Sequence, residues 1–225
     1  MCGRLSIAVS KKDLEKYLKE NFDIEVIPEE IELPKFNVAP SEDLVSLVSD
    51  GLKYRIGLIK WGFKAYEEAN ILINARSETV ESLKTFKKSF LERRCIILSD
   101  GFFEWERGSS VKTPYRFVLK KQRVFGFAGL WTVFTDKEGN KQYSATILTT
   151  KANNLMATIH DRMPVILDEE KMKIWLDPKI RNSEILKRVL KPYSEDEMDL
   201  YEVSVKVNSP KNKDEEVIKP IKKSI

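Results

Sequence analysis

The stretch VFGFAGLWTVFTDKEGNKQYSATILTT, residues 124–150, decides the fold class of this chain. Its two halves, residues 124–134 and 142–150, are rich in aromatic and β-branched residues, which is the composition typical of strands. Residues 136–140, DKEGN, lie between them and carry the glycine and asparagine that favour a turn. The stretch therefore predicts an antiparallel β-hairpin.

Further strands and helices are predicted on both sides of this hairpin. The pair Asp50-Gly51 joins the apolar runs 44–49 and 52–59 into a second hairpin. Strand-like composition also marks residues 95–98, 102–106, 115–120, 163–167 and 201–207. Helical spacing and capping residues predict helices over residues 11–21, 77–88, 152–158, 169–176 and 184–191.

These elements predict one α+β domain with an antiparallel, barrel-like β-rich core flanked by helices. We expect this domain to cover residues 1–210, because no repeat and no Pro/Gly-rich linker divides them. Residues 211–225 are rich in lysine, and we expect them to form a loose C-terminal tail.

The composition argues against several classes of protein. No apolar run approaches the ~20 residues of a membrane span, and the N-terminus lacks the apolar region of a signal peptide. A single histidine, with no CxxC or HExxH spacing, argues against a metal site, and no nucleotide-binding glycine motif is present. We therefore expect a cytoplasmic protein with reduced cysteines and without a cofactor, metal or membrane association.

The N-terminus reads Met1-Cys2-Gly3-Arg4. Removal of Met1 would leave an α-amine and a thiol on adjacent carbons of Cys2, and such a 1,2-aminothiol can condense with an aldehyde to a thiazolidine. An α-amine has a reference pKa of about 7.7–8.0, so part of it is unprotonated and nucleophilic near neutral pH. Position 2 alone fits a frayed terminus equally well. The rest of the chain has to decide between the two interpretations.

Five further segments are too polar and too glycine-punctuated for ordinary core strands. They are FNVAP (36–40), NARSET (74–79), DGFFEW (100–105), AGLW (128–131) and IHDRMP (159–164). Together with the N-terminal segment they resemble, in order and spacing, the SOS response-associated peptidase family, over residue 1 to about residue 208. Members of that family process abasic sites and cross-link to DNA.

The resemblance implies a chemistry for Cys2. The processed α-amine would attack the aldehyde of a ring-opened abasic site and form a Schiff base, and the thiol would then close the thiazolidine. The implied partner is single-stranded DNA that contains abasic sites, bound by a monomeric protein. If the chain is bacterial, this implies action at the nucleoid.

The resemblance also implies roles for other residues. The implied catalytic residues are Cys2, Asn74, Glu104 and His160. Asn74 would hold the amine or the sugar oxygen, and Glu104 and His160 would move protons, a role for which an imidazole suits near pH 7. Arginine matches phosphate bidentately, and the residues expected to contact DNA are Arg4, Asn37, Pro40, Arg76, Trp105 and Arg162. Without the resemblance, Glu104 could equally be a strand residue that faces solvent, and His160 could equally be a histidine with a purely structural role.

Two other functions remain open at this point. The first is a thiol peptidase, acting on other proteins or on its own Met1, in which Cys2 is the nucleophile and His160 and Glu104 assist it. The second is a non-covalent binder of damaged or modified DNA, in which Cys2 is incidental. Strand cleavage at the abasic site is a further activity that the family suggests. The segment WGFKAY (61–66) lacks the proline and second tryptophan usual in the family, which weakens the expectation of a stacking aromatic there.

Overall fold

The computed structural model describes residues 2–66, 69–106 and 112–221. The strands are β1 (Leu5–Ile7), β2 (Lys35–Val38), β3 (Asp43–Ser49), β4 (Tyr54–Trp61), β5 (Asn74–Arg76), β6 (Arg94–Ser99), β7 (Gly101–Trp105), β8 (Pro114–Leu119), β9 (Phe125–Thr135), β10 (Lys141–Lys151), β11 (Arg162–Pro164), β12 (Ile166–Leu167) and β13 (Met198–Glu202). The α-helices are α1 (Lys11–Phe22), α2 (Lys84–Glu92), α3 (Asn154–Ala157), α4 (Glu169–Leu176) and α5 (Ser183–Val189). Within the described ranges, none of the helices is long and apolar enough to cross a membrane.

The larger sheet closes on itself. Strand β10 pairs in parallel with β4 and antiparallel with β9, which completes the ring β10–β4–β3–β6–β9. The result is a closed five-stranded β-barrel, with β5 and β11 attached to β10 and β12 attached to β9. The hairpin predicted from residues 124–150 is the β9–β10 pair of this ring. The α+β class and the barrel-like core are thus confirmed.

The smaller sheet is antiparallel throughout, in the order β13–β8–β7–β1–β2. Strand β1 is an inner strand, because Leu5 lies opposite Phe102 of β7 on one side and Val38 of β2 on the other. The residues just before β1 therefore lead directly into the body of the protein. This position places Cys2 in the interior.

Two apolar cores hold these layers together. One lies between the helices and the barrel and contains Leu14 and Leu18 of α1, which begins at its predicted cap Ser10. The other lies between the two sheets and contains Cys2 and Trp61. Each fully buried large side chain stabilises the fold by about 1.5–3 kcal/mol.

Three predicted elements differ from the structure. The helix expected from residue 77 begins only at Lys84, because the Ser77 N–H donates to Thr149 O (2.9 Å) and extends the β5–β10 pairing. The strand expected over residues 163–167 is split into β11 and β12 at Val165, whose N–H donates to Leu148 O (2.8 Å). The late strand expected over residues 201–207 is β13, which ends at Glu202, and a 3₁₀ turn follows.

The C-terminal residues 211–221 pack against the domain. Val217 is fully buried, and the Ile221 N–H donates to Glu202 O (2.9 Å) next to a bridge between Val203 and Pro220. A loose tail is therefore wrong for these residues. Residues 222–225 lie outside the described residues.

Candidate active site around Cys2

The Cys2 side chain is fully buried in the core between the two sheets. Burial, together with the nearby negative charge of Glu104, raises the pKa of this thiol far above its ordinary value. The thiol is therefore protonated near neutral pH. Met1 lies outside the described residues, so the predicted role of the Cys2 α-amine stays a prediction.

Asn74 fixes the backbone of Cys2. It is the first residue of β5, which runs parallel to β10, and its Nδ2 donates a 2.8 Å hydrogen bond to Cys2 O. Its Oδ1 is buried, and no group in the described part of the chain donates to it. Since a buried amide oxygen without a donor is costly, this atom is an acceptor available to a ligand.

Glu104 lies on β7, next to the strand that Cys2 enters. The Phe103 N–H donates to Arg4 O (3.0 Å), which aligns this part of β7 with the N-terminal segment. Glu104 is only 3% exposed, so the interpretation as a solvent-facing strand glutamate is wrong. A buried carboxyl group near a buried thiol is an arrangement that can hold and transfer a proton.

His160 approaches the same core from the far side of β10. It follows α3, where its N–H donates to Met156 O (2.9 Å), and it is 4% exposed. Its neighbours Ile159 and Met163 belong to the core cluster that contains Cys2. Strand β11, which begins two residues after His160, is separated from β5 only by β10. The structure thus places Asn74 and Glu104 at Cys2, and it places His160 next to residues of the core cluster that contains Cys2.

Three of the residues predicted to contact DNA form an internal network. Arg4 is buried, and its Nη1 donates to Asn37 Oδ1 (2.7 Å) and Val207 O (2.5 Å). Its guanidinium lies 5.7 Å from the centre of the Trp105 ring, whose Nε1 donates to Asn208 Oδ1 (2.6 Å). Burial lowers the pKa of Arg4. These contacts join the N-terminal segment to residues 205–208, and a contact with DNA stays a prediction.

The other three lie apart from this network. Arg162 is a bidentate partner of Glu78 (Nη1–Oε1 2.6 Å, Nη2–Oε2 2.9 Å), and its Nη2 also donates to Thr149 O (2.6 Å). The Arg162 guanidinium lowers the pKa of Glu78. Pro40 is half-buried in the turn between β2 and β3. Arg76 is exposed, and within the described ranges its guanidinium has no bonded partner.

Sequence reasoning assigned no role to Glu78 or Asp161, although both stand inside segments that it singled out. Glu78 engages Arg162, and Asp161 Oδ1 lies 2.9 Å from His160 Nδ1. Their position within the motifs was the only available signal. In the divergent segment 61–66, Trp61 is buried and donates to Ile73 O (3.0 Å), whereas Tyr66 is 62% exposed.

Across residues 2–66, 69–106 and 112–221, the structure contains no group of three or more His, Cys, Asp or Glu side chains that could hold a metal ion.

The fold and the site together define a class of protein: an α+β domain with a closed β-barrel, in which a buried cysteine near the N-terminus is contacted by an amide side chain and lies near a buried carboxyl group. The profile of the SOS response associated peptidase (SRAP) family matches residues 1–210. This chain belongs to the SRAP family, as its sequence motifs predict.

Several relatives support this assignment. The abasic site processing proteins YoqW and YoaM of Bacillus subtilis are 42% and 39% identical to this chain, each over 97% of it and over 99% and 97% of their own lengths. The abasic site processing protein YedK of Escherichia coli is 28% identical over 98% of this chain and 100% of its own length. A solved structure from Bacteroides thetaiotaomicron shares the fold with a TM-score of 0.84, at 24% identity and over 98% of this chain and all of its own.

Proposed function

We propose that this chain processes abasic sites in single-stranded DNA, and that Cys2 traps the lesion covalently after removal of Met1. The environment of Cys2 carries the proposal. Its side chain is fully buried, its carbonyl accepts a hydrogen bond from Asn74, and the charge of Glu104 acts on its thiol. A terminal residue without a function is usually frayed instead. The names of the relatives support abasic sites in DNA as the substrate.

The first step forms a carbon–nitrogen double bond. The α-amine of Cys2 attacks C1′ of the ring-opened sugar, and the aldehyde oxygen leaves as water with the two amine hydrogens. A buried acid has to protonate that departing oxygen. We assign this step to Glu104 or His160, which are titratable side chains and are almost completely buried.

The second step closes the ring. The thiol adds across the C=N bond, so that sulfur bonds C1′ and the thiol proton ends on the nitrogen. The raised pKa of the Cys2 thiol favours this order, because a protonated thiol leaves the amine as the first nucleophile. Glu104 lies close enough for its charge to act on the thiol, and we assign it the transfer of this proton.

Asn74 and Arg76 supply binding groups from one short strand. The buried Oδ1 of Asn74 would accept a hydrogen bond from the α-amine or from a sugar hydroxyl. Two residues further along β5, the exposed Arg76 guanidinium would contact a phosphate next to the lesion. The proposal includes a monomeric protein that acts at DNA in the cytoplasm.

A general thiol peptidase is the less favoured alternative. Such an enzyme attacks with a thiolate, and burial raises the pKa of the Cys2 thiol far above its ordinary value. Cleavage of its own Met1 needs no second chain and would supply the free amine. Strand cleavage at the Schiff-base stage and non-covalent binding of damaged DNA are further outcomes that the following experiment distinguishes.

The test is a denaturing gel with a single-stranded oligonucleotide that carries one abasic site. Protein whose mass shows the loss of Met1 should give a heat-resistant shifted band, and an oligonucleotide without the lesion should not. Cys95 is the matched control, since it is buried in the same core as Cys2. We expect C95A to cross-link normally.

Two variants separate the amine from the thiol. C2S keeps the amine, and we expect a band only after borohydride reduction of its Schiff base. A chain that retains Met1 should give no band. A heat-resistant band from C2S without reductant would refute the thiazolidine, cleaved DNA would reveal lyase activity, and a shift on native gels alone would indicate a binding module.

A further inference from the structure

One ring nitrogen of His160 has two neighbours that require opposite proton states. The Arg162 backbone N–H donates to Nδ1 at 3.0 Å, and this bond needs a lone pair on Nδ1. Asp161 Oδ1 lies 2.9 Å from the same atom, and a carboxylate at that distance is favourable only if Nδ1 carries a hydrogen. Nδ1 cannot satisfy both neighbours at once.

The amide neighbour is fixed in place. Arg162 pairs with Lys151 across β10 and β11, and its guanidinium is held by Glu78 and Thr149. The imidazole itself is 4% exposed, and the backbone of His160 is bonded to α3. Neither the ring nor the Arg162 N–H can therefore move far.

The carboxylate neighbour is adjustable. The Asp161 side chain is 70% exposed, so water stabilises it when it turns away from the ring. Its backbone is nevertheless held, because Asp161 O accepts from the Ala152 N–H (3.1 Å). The Asp161 carboxylate is therefore in contact with water in either proton state of the ring, while its backbone stays in place.

We propose that Asp161 is a positioning residue that lets His160 change its proton state without moving its ring. In the neutral Nε2–H tautomer, Nδ1 accepts from the Arg162 N–H. When the ring is protonated, or in its Nδ1–H tautomer, Nδ1–H donates to Asp161. This inference rests on the proposed function, in which His160 moves protons.

The proton balance is simple. Nε2 takes a proton from a reacting group, the imidazolium charge is compensated by the Asp161 carboxylate, and Nε2 later returns the same proton. Asp161 itself takes up no proton. The charged groups of the surrounding elements are Asp161 on the loop, Arg162 at the start of β11, Lys151 on β10, Glu78 and Arg76 at β5, and Glu104 on β7.

Nuclear magnetic resonance tests this directly, because the chain contains one histidine. With ¹⁵N-labelled histidine, the two ring nitrogen signals belong to His160 without further assignment. In D161A we expect the neutral ring to be almost entirely the Nε2–H tautomer, whereas the native chain also populates Nδ1–H. The midpoint of the ring ¹⁵N titration should fall by about 0.7 pH unit, the size of an ion-pair effect in a solvent-like dielectric.

Three further variants serve as controls. D161E retains the carboxylate and should restore the native midpoint. E138A removes a like charge from the exposed β9–β10 turn, at the other end of β10, and should leave the spectrum unchanged. D161N repeats the loss of charge with a side chain of the same size, should D161A fold poorly. Native ring shifts and a native midpoint in both D161A and D161N would overturn the proposal.

The role in the reaction is tested separately. The rate of cross-linking is measured as a function of pH in the native chain and in D161A. The part of this profile that depends on the protonation of His160 should move to lower pH in D161A, by the same amount as the NMR midpoint. A moved midpoint with a native profile would refute a role in the reaction. A native chain that never cross-links would refute the proposed function instead, and the NMR comparison would still decide the tautomer.

Discussion

The side-chain amide of Asn74 donates a 2.8 Å hydrogen bond to the backbone carbonyl of Cys2, across 72 positions of sequence. The bond connects the two sheets, because Asn74 belongs to a strand attached to the barrel and Cys2 leads into β1 of the smaller sheet. The N-terminus is thereby held at the barrel by a side chain whose other polar atom is an open acceptor. Five substitutions test this site and the contacts that support it.

Replacing Asn74 by alanine should slow cross-linking about fivefold. The lost hydrogen bond contributes on the order of 1 kcal/mol to holding Cys2 in place, which corresponds to that factor in rate. Single-turnover rates on denaturing gels measure the effect. N70A is the control, since Asn70 is an exposed amide just before the same strand. An equal loss in N70A would contradict the assignment.

Replacing Glu104 by glutamine should lower the pKa of the Cys2 thiol. The carboxylate raises this pKa through its negative charge, so its neutralisation makes the thiolate accessible at lower pH. The pH dependence of iodoacetamide labelling, followed by mass spectrometry in a C95A background, measures the shift. E106Q neutralises the next acidic residue along the chain and should leave it unchanged.

The E104Q substitution should also slow cross-linking, while the affinity for DNA is largely kept. A native rate in E104Q would remove Glu104 from the mechanism.

Replacing Arg76 by alanine should weaken DNA binding for all sequences alike. One lost phosphate contact lowers the slope of log affinity against log salt by about 0.7 for single-stranded DNA. Fluorescence anisotropy at several salt concentrations measures the slope, and K87A on the exposed face of α2 is the control. R162A should change the slope less, because Arg162 is already engaged by Glu78. Equal slopes for R76A and the native chain would refute the phosphate contact.

Replacing Glu78 by glutamine should lower the free energy of unfolding by about 1 kcal/mol at neutral pH, because it removes the ion pair with Arg162. The effect is small because the Glu78 side chain is 40% exposed and solvent partly screens the pair. Arg162 lowers the pKa of Glu78, so this contribution is present above the ordinary pKa of glutamate and is lost as the pH falls through the lowered value. Urea unfolding at several pH values measures it. The native chain and E78Q should converge in acid, and a gap that persists there would contradict the prediction.

Replacing Asp100 by asparagine should destabilise the fold by about 3–5 kcal/mol. Asp100 and Arg116 form a buried pair at 2.9 Å, with side chains 8% and 7% exposed, and the substitution leaves the arginine charge without compensation. Arg116 also binds Ser6 and Tyr201, so the pair supports the strands around β1. Urea unfolding measures the loss. D199N on the exposed side of β13 should stay within about 0.5 kcal/mol of the native chain.

The hairpins were predictable from sequence, and the closure of the barrel was not. Residues 124–150 carry local information, namely strand-forming composition and a turn of the right chemistry. Closure depends on the parallel pairing of Ser144 with Lys60, residues that are distant in the chain and have no local pattern in common. The late onset of α2 has the same origin, since Ser77 is bonded to Thr149 of a distant strand.

The candidate site was likewise predictable from sequence only in part. The motifs supplied Cys2, Asn74, Glu104 and His160 as candidates, and burial then removed the solvent-facing interpretation of Glu104. An arginine near a terminus looks like a surface charge in sequence, yet Arg4 is buried against the chain's last turns. Such long-range contacts have no signature in local composition.

The network around Arg4 also bears on the order of events during synthesis. Arg4 binds Val207 O, and Asn37 binds the carbonyls of Ser209 and Asn212, so these contacts form only after the chain has been made as far as residue 212. Once it has, Cys2 is fully buried. An aminopeptidase needs an accessible terminus, so Met1 is best removed while the first residues still project from the ribosome. Translation thus gives a period in which Met1 can be cleaved before these contacts form.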